Sequence, residues 1–397
     1  MNCPNFKKCG GCQLQNMDYD RQLRFKQAQV VKLLGRFHRV SNIIGMKDPT
    51  HYRNKVQAAF GERGGKLISG VYQSSTHKIV PVDDCLIEDK IADSIIVTVR
   101  KLATSFKMRA FNDTTMRGFL RHVLVKRGFV SGQVMVVLVT NDGEFKSSRS
   151  FINALLQRHP EITTIVRNIN TRRTSMVLGE KSEVLYGDGY IEENLGGFRF
   201  RISPKAFYQI NPVQTQVLYG KAVEFADLKG NETVVDAYCG TGTIGIFMSK
   251  NAGKVIGVEL NSDAVNDAKY NAKLNGVKNI EFYNADAGKF MVEMAELKMK
   301  ADVVVTDPPR AGCSLEFLHS VLKLAPEKVV YISCNPKTLA RDLKTLINGG
   351  YKVKKIQPVD MFPFTEHIET VVLLSREKAD DYVRISVHTK DLQTKSN

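Results

Sequence analysis

Apolar and polar positions along the chain fall into three regimes. Between Asp20 and Phe37, apolar residues Leu23, Ala28, Val31, Leu34 and Phe37 recur at helical spacing among basic ones. That spacing predicts one amphipathic helix. From His51 to about Phe200 the runs are short, alternate apolar with polar, and are broken by Gly and Asn. Val56–Phe60, Leu67–Tyr72, Val123–Lys126, Gln133–Thr140 and Thr164–Asn168 predict strands, with helices at Cys85–Phe106 and Ser147–Gln157. The stretch Tyr186–Gly197 reads as turn-rich and closes this β-rich region.

Beyond Pro212 the period changes again. Strands at Thr233–Asp236, Lys254–Glu259, Ile280–Asn284, Val303–Asp307 and Lys328–Ser333 alternate with helical segments. Those segments are Val213–Leu228, Gly242–Asn251, Ser262–Asn275, Gly288–Glu296, Leu315–Leu324 and Pro336–Asn348. Two β-rich runs, Tyr351–Val359 and His367–Ser375, follow. The alternation predicts an α/β fold with a parallel, doubly wound sheet. Ligands of such sheets bind at the C-terminal ends of the strands. The polar tail from Glu377 to Asn397 is expected to fray.

Composition narrows the partners. The chain has 397 residues, 43% hydrophobic and 25% charged, which suits a globular enzyme of two or three domains. Lys and Arg number 57 against 41 Asp and Glu, a net charge of +16, which argues for a polyanion or a membrane surface. No apolar run reaches the ~18–20 residues of a membrane helix, and the polar, cysteine-rich start does not read as a signal peptide. A cytoplasmic, monomeric protein with reduced thiols is expected, so its seven cysteines are candidates for metal binding or catalysis.

Three strand ends carry chemistry. Asp236-Ala-Tyr238-Cys-Gly240-Thr-Gly242-Thr243-Ile-Gly245 follows a strand and opens a helix, where glycines permit close backbone approach and free N–H groups face a ligand. The glycine spacing alone also fits a nicotinamide dinucleotide. Glu259, ending the next strand, suits the two hydroxyls of an adenosine ribose. Val303-Val-Val-Thr-Asp307-Pro308-Pro309-Arg310 ends in an acid stiffened by two prolines, a feature nicotinamide enzymes do not need. Ile332-Ser333-Cys334-Asn335-Pro336 sets a cysteine at the top of the sheet, where it can act as a nucleophile. Glu366-His367-Ile368-Glu369-Thr370 follows near the end.

Taken together these residues resemble the RNA uracil-C5 methyltransferase family, which makes 5-methyluridine with S-adenosylmethionine. The resemblance covers almost the whole chain. Phe207-Tyr-Gln209-Ile-Asn211, the Tyr238 glycine loop, Glu259, Asp307-Pro-Pro-Arg310, Ser333-Cys334-Asn335-Pro336 and His367-Ile-Glu369-Thr370 stand in the family's order. It implies Cys334 as nucleophile and Glu369 as general base. It also implies a class I, Rossmann-like methyltransferase fold in which Gln209, Tyr238, Gly240, Gly242, Thr243, Glu259, Asp286 and Asp307 line the cofactor site. Phe207, Gln209 and Asp307 would meet the uracil.

At the N-terminus, Cys3-x5-Cys9-x2-Cys12 offers soft thiolates for zinc or an iron–sulfur cluster. Cys85 is the best candidate for a fourth ligand, because Cys239, Cys313 and Cys334 belong to the catalytic half. Members of the family that act on 23S rRNA carry a [4Fe–4S] cluster on this pattern. The resemblance therefore favours 23S rRNA over tRNA as substrate. The chain starts at the cysteine motif, so the small N-terminal RNA-binding β-barrel of some members is expected to be absent. RNA grip then falls to Tyr52–Lys55, Arg117–Arg127 and Asn168–Arg173, with Phe119 or Phe129 stacking on bases. Residues 1–14 and 47–206 are expected to form the cluster-bearing RNA-binding part, and 15–46 and 207–397 the catalytic part. The other readings are a non-catalytic iron–sulfur RNA-binding protein and an NAD-dependent oxidoreductase.

Overall fold

The computed structural model describes residues 3–73, 76 and 78–376, so the expectation for the tail lies outside the described residues. A single-turn helix α1 (Phe6–Cys9) precedes α2 (Tyr19–Leu34), which forms the predicted helix but stops three residues early and buries a different face: of Leu23, Ala28, Val31, Leu34 and Phe37 only Leu34 is buried, while Ala28 and Val31 are exposed. Asp18 caps α2 by accepting from the Arg21 N–H at 2.8 Å. Its buried face holds Val30 and Leu34 together with two polar side chains, Gln22 and Lys26.

The central region supplies β1 (Lys55–Arg63), β2 (Lys66–Tyr72), β3 (Ile79–Pro81), α3 (Lys90–Ser105), β4 (Leu120–Arg127) and β5 (Val134–Thr140). After these come α4 (Ser148–Arg158), β6 (Ile162–Ile169) and β7 (Lys181–Tyr186). Among the described residues they form a seven-stranded sheet in the order β3-β2-β1-β4-β5-β6-β7. Only β5 and β6 run parallel, joined through α4. One face buries Val56, Phe60, Val123 and Val136 against Ile95, Val99 and Phe151 of the two helices. The other face turns Leu124, Met135, Val137 and Val166 toward a hairpin of β8 (Ile191–Leu195) and β9 (Phe198–Ile202) and the C-terminal half. Strand β5, VMVVLVT, is therefore buried on both sides and reads as a continuous apolar run.

The C-terminal half follows the predicted alternation closely. Its elements are α5 (Pro212–Ala226), β10 (Thr233–Ala237), α6 (Thr243–Ser249), β11 (Lys254–Glu259), α7 (Ser262–Leu274), β12 (Ile280–Asn284), α8 (Ala287–Glu296) and β13 (Val303–Thr306). Then come α9 (Leu315–Leu324), β14 (Lys328–Ser333), α10 (Pro336–Asn348), β15 (Tyr351–Val359) and β16 (Glu369–Arg376). The sheet order is β12-β11-β10-β13-β14-β16-β15. The strands are parallel as expected, except that β16 runs antiparallel to both β14 and β15.

Two expectations are corrected. The stretch Tyr186–Gly197 is not merely a turn-rich closure. Its glycines at positive φ, Gly187, Gly189, Gly196 and Gly197, turn the chain between β7, β8 and β9, so the turn residues hid the strands they connect. The segment from Cys85 is not helical until Lys90. Asp89 caps α3 by accepting from the Ala92 N–H at 3.0 Å, leaving Cys85–Glu88 outside the helix, where Glu88 bridges to Arg53.

The polar face of α2 explains its position. Lys26 Nζ donates to Asp360 Oδ1 at 2.6 Å, and both side chains are fully buried. Tyr19 adds a hydroxyl bond to Asp360 Oδ2 at 2.9 Å. Burial pulls the Lys26 pKa down while Asp360 opposes that fall. Losing one partner of a buried pair costs about 3–5 kcal/mol, because an unpaired charge remains in the interior. Asp360→Ala and Lys26→Met are each expected to lower stability by about that amount. The double variant Lys26→Met/Asp360→Leu should lose much less than the sum. Denaturant unfolding measures this, and strictly additive losses would contradict the pairing.

Candidate active site at the strand ends

The sheet register assembles the site. Because β10 and β13 pair Ala237 with Thr306, the next residues, Tyr238 and Asp307, leave adjacent strands side by side. Because β14 and β16 pair Ser333 with Thr370, one further step sets Cys334 opposite Glu369. Glu259 ends β11 on the other side of β10. A slip of one residue in the β14–β16 ladder would turn the nucleophile and the acid to opposite faces. These strand ends open onto a cleft of about 1850 Å³ between the two halves of the chain. Gln209, Tyr238, Gly240, Thr243, Glu259, Asp286, Asp307, Cys334 and Glu369 all line it, as does Phe207, which is 65% exposed. Gly242 lies one step behind the wall, at the N-cap of α6.

The glycine loop is built for close approach. Tyr238, a non-glycine residue, is held at φ 61°, with its ring against Phe317 at 5.3 Å between centroids. Backbone strain of this kind persists only where the surroundings fix it. Gly240 (φ 54°) faces open space where a side chain would stand, so a ligand has room there. A Cβ at Gly242 (φ 79°) would instead meet the Phe282 ring at 2.8 Å. Glu259 accepts from the Gly240 N–H at 3.0 Å and from the Asn261 N–H at 2.8 Å, which aims its carboxylate along the cleft wall. Beneath the loop, Asp236 accepts from the Gly245 N–H at 2.7 Å, and burial pushes its carboxyl up to about 8. The open loop and the adjacent acid fit an adenosine-bearing cofactor.

The floor of the cleft is desolvated. Burial pushes Asp307 up to about 7. Glu369 is 5% exposed, and burial, reinforced by Asp307, holds it well above the ordinary carboxylate range. Among the described residues its Oε2 has no hydrogen-bond partner. Burial pushes the Cys334 thiol up to about 11, with Glu369 and Asp307 adding to the rise and the Arg310 cation opposing it. Arg310 was quoted only as part of a motif in the sequence, yet it is the neighbouring cation. Its carbonyl accepts from Asn335 Nδ2 at 3.1 Å and from the Thr338 hydroxyl at 3.3 Å, and its guanidinium meets His367 Nδ1 at 3.3 Å. His367 in turn packs edge-on to Phe362.

The proposed RNA grip needs correction residue by residue. Arg121 is buried, pairs with Asp113 at 3.0 Å and lies over the Phe111 ring at 4.2 Å. Arg127 pairs with Asp89. Phe119 packs on Phe145 at 5.4 Å. These side chains hold the central domain together, since cations and rings buried in their own fold are spent on it. From the regions named, Lys55, Lys126 and Arg172 line the cleft. Lys126 is 5% exposed and donates to the carbonyls of Ser203 and Ala206 at 2.8 and 2.9 Å. It therefore pins the segment leading to Phe207 and Gln209, which leaves Lys55 and Arg172, of the regions named, to join Lys205 and Arg310 as cations lining the cleft.

The four N-terminal cysteines converge in part. Burial raises the Cys9 and Cys12 thiols, Cys3 adds to the rise at both and Cys9 to that at Cys12, and Arg53 and Glu88 face Cys9 and Cys12. Cys12 and Cys85 pack on a small cluster of Tyr52, Ile87 and Phe364. Among the described residues, no group of three or more Cys, His or acidic side chains stands at metal-ligating spacing. All four are half-buried free thiols, a donor set that suits a soft metal or cluster once drawn together.

A glycine loop, an acid at the end of the next strand and a cleft at the C-terminal edge of a seven-stranded sheet whose last strand is reversed define the fold of an S-adenosylmethionine-dependent methyltransferase. Comparison with known proteins gives the family. Residues 18–377 match the tRNA (Uracil-5-)-methyltransferase family, and the chain belongs to it. It is 47% identical over 377 residues to an uncharacterized RNA methyltransferase of Halalkalibacterium halodurans, covering 94% of this chain and 82% of that one. A relative from Clostridium tetani is 45% identical over the same shares of each. The fold superimposes on the Pyrococcus abyssi tRNA (uracil-54, C5)-methyltransferase in complex with S-adenosyl-L-homocysteine, with a TM-score of 0.77 and 28% identity. That match covers 94% of this chain and 87% of that structure. The chain is an RNA uracil-C5 methyltransferase that uses S-adenosylmethionine. Among the described residues, no helix is long and apolar enough to cross a membrane.

The thiol's raised pKa has a direct consequence. Cys334 is a thiol at neutral pH and becomes a thiolate only as pH approaches about 11. Its alkylation by iodoacetamide, followed by mass spectrometry, should keep rising by about tenfold per pH unit from pH 7 to 10. Arg310→Met removes the opposing cation and should slow alkylation at pH 8 by roughly three- to tenfold. A plateau below pH 9 would contradict the assigned shift.

Proposed function

We propose that this chain methylates C5 of a uridine in 23S rRNA by covalent catalysis, with Cys334 as nucleophile and Glu369 as general base. The observation that carries the reading is the β14–β16 register, which sets these two side chains face to face beside Asp307. C5 of uracil is a weak nucleophile until a thiolate adds to C6 and generates an enolate. Cys334 supplies that thiolate after its proton is lost to solvent, with the Arg310 cation favouring the charged form. Asp307, whose carboxyl is raised to about 7, faces the uracil N3–H and favours uracil over cytosine. Glu369, as the carboxylate and with one oxygen unpartnered, takes the C5 proton afterwards, and elimination returns the thiolate. Phe207 and Gln209 contact the flipped base, whose unstacking costs a few kcal/mol. Gln209, Tyr238, Gly240, Gly242, Thr243, Glu259, Asp286 and Asp307 hold S-adenosylmethionine, which brings an electrophilic methyl group to the cleft.

Cys3, Cys9, Cys12 and Cys85 are assigned as ligands of a [4Fe–4S] cluster, with zinc as the lesser alternative. Their shared neighbours and soft donors support this. Residues 1–14 and 47–206 form the RNA-binding unit in this reading, and residues 15–46 and 207–397 the catalytic one. The packing of α2 onto α10 and the Val40–Ile356 bridge support that division. The β8–β9 hairpin sits on the seam, contributing apolar residues to the core both units share. A cytoplasmic location suits an rRNA substrate.

The four-cysteine pattern favours rRNA, whereas the likeness to the Pyrococcus abyssi enzyme favours the second reading, a tRNA uridine. Mapping 5-methyluridine in both RNAs from a deletion strain decides between them: the rRNA reading expects one or more sites lost from 23S rRNA and none from tRNA, and the reverse pattern would overturn it.

The catalytic assignment is tested by trapping. Cys334→Ala should form no covalent RNA adduct and no product. Glu369→Gln should add, methylate and stall, leaving methylated RNA attached to the protein on denaturing gels. Glu366→Gln, on the exposed side of the same loop, should accumulate far less adduct. Trapping by Glu366→Gln with normal turnover by Glu369→Gln would show that the base is misassigned.

A further inference from the structure

The loop between β15 and β16 delivers Glu369, yet its backbone is held chiefly by other parts of the chain. Gln214 Nε2 donates to the Asp360 carbonyl at 2.9 Å, and Asn211 Nδ2 donates to that of Met361 at 2.9 Å. Lys26 Nζ donates to the Phe362 carbonyl at 3.0 Å. The Tyr52 hydroxyl donates to the Pro363 carbonyl at 3.0 Å. Phe364 donates its N–H to Gln22 Oε1 at 2.8 Å and accepts from the Leu14 N–H at 2.9 Å. The Glu366 N–H reaches Gln13 Oε1 at 3.4 Å. Thus, between Pro363 and Glu366, much of the support comes from the stretch that directly follows Cys12 and from Tyr52.

The same place carries strain. Phe364 adopts φ 68°, a left-handed conformation strained for a non-glycine residue. What offsets it is burial: Phe364 is 7% exposed and packs with Tyr52 and Ile87, and the Cys12 and Cys85 side chains lie against that cluster. Cys334 is fixed differently. It follows β14, which is flanked on both sides by β13 and β16, and Asn335 beside it caps α10 by accepting from the Lys337 N–H at 3.1 Å. Glu369 is the first residue of β16, laddered to Val359 of β15 but entered directly from this loop, so loosening the cysteine-bearing stretch displaces the base more than the nucleophile.

We propose that the Cys12–Leu14 stretch and Tyr52 form a brace that positions Glu369, so that the N-terminal cysteine site governs the release half of the reaction and not thiolate addition. The inference rests on Glu369 being the base. In the governed step, the C5–H bond breaks and its proton goes to the Glu369 carboxylate. The electron pair forms the C5–C6 double bond, and the C6–S bond breaks with its pair returning to Cys334. A base displaced by a fraction of an ångström slows that step alone, and misplacements near 1 Å cost catalytic groups up to about a hundredfold.

The test uses the full-length protein, uridine-containing substrate RNA and S-adenosylmethionine. Tyr52→Phe deletes only the hydroxyl that holds Pro363, and Cys12→Ala removes the thiol packed on the Tyr52–Phe364 cluster. Three quantities are read: the steady-state fraction of enzyme covalently bound to methylated RNA, kcat against KM for RNA, and S-adenosylhomocysteine affinity. The brace predicts unchanged S-adenosylhomocysteine affinity, kcat lower by on the order of tenfold with KM for RNA falling alongside so that kcat/KM holds, and a several-fold rise in trapped adduct. Glu369→Gln, run alongside, sets the fully trapped level. If Cys12→Ala loses S-adenosylhomocysteine binding through misfolding, Tyr52→Phe decides. Slower turnover without more adduct, or wild-type turnover, overturns the brace even when Glu369→Gln still traps. A Glu369→Gln variant that fails to trap overturns the base assignment and the brace with it.

Discussion

Everything chemical in this protein depends on keeping water away from three side chains at one sheet edge. Asp307, Cys334 and Glu369 would titrate at their ordinary values if solvated. Packed at the floor of the cleft, each is shifted toward its protonated form, mainly by desolvation. The reaction must work against that shift twice: the thiol must lose its proton to add to C6, and Glu369 must stand as the carboxylate when C5 gives up its proton. Of the three, Asp307 is raised to about 7, where it exchanges protons with small driving force. Arg310, the cation beside Cys334, biases the thiol in the productive direction.

Holding those groups together takes more of the chain than the catalytic sheet. The register of β14 and β16 brings Cys334 and Glu369 opposite each other, but β16 begins only after a long loop with a left-handed residue in it. The loop is secured by α2, whose buried Lys26 and Gln22 would make no sense on an ordinary amphipathic helix. They face backbone carbonyls and N–H groups that a surface loop would leave to water. The N-terminal segment thus belongs with the active site structurally, though it lies more than three hundred residues away in sequence.

The alternation of strands and helices after Pro212 was legible because each element is long, strongly periodic and bounded by turn residues. Several limits, such as Lys254–Glu259 and Lys328–Ser333, match the sequence reading to the residue. Cleft residues Tyr238, Glu259, Asp307 and Cys334 were legible for a related reason: strand ends in a parallel sheet lie side by side, so motifs at successive ends converge. What escaped was whatever depends on pairing across long distances. The β8–β9 hairpin hid behind its own glycines. The reversal of β16 has no local signature. The Lys26–Asp360 pair left no mark, since Lys26 is one of several basic residues along that helix and its partner lies 334 positions away. Basic residues such as Arg121 and Arg127 read as an RNA surface because charge in a sequence does not reveal whether a partner is already waiting inside the fold.

RNA tritiated at C5 of uridine reads out whether Glu369 takes the C5 proton after methyl transfer. Wild-type enzyme should release one tritium to water for each methyl group transferred. Glu369→Gln should transfer methyl groups up to one per enzyme while the tritium stays with the bound RNA. Release of tritium by Glu369→Gln in step with methylation would contradict the claim and place the base elsewhere in the cleft.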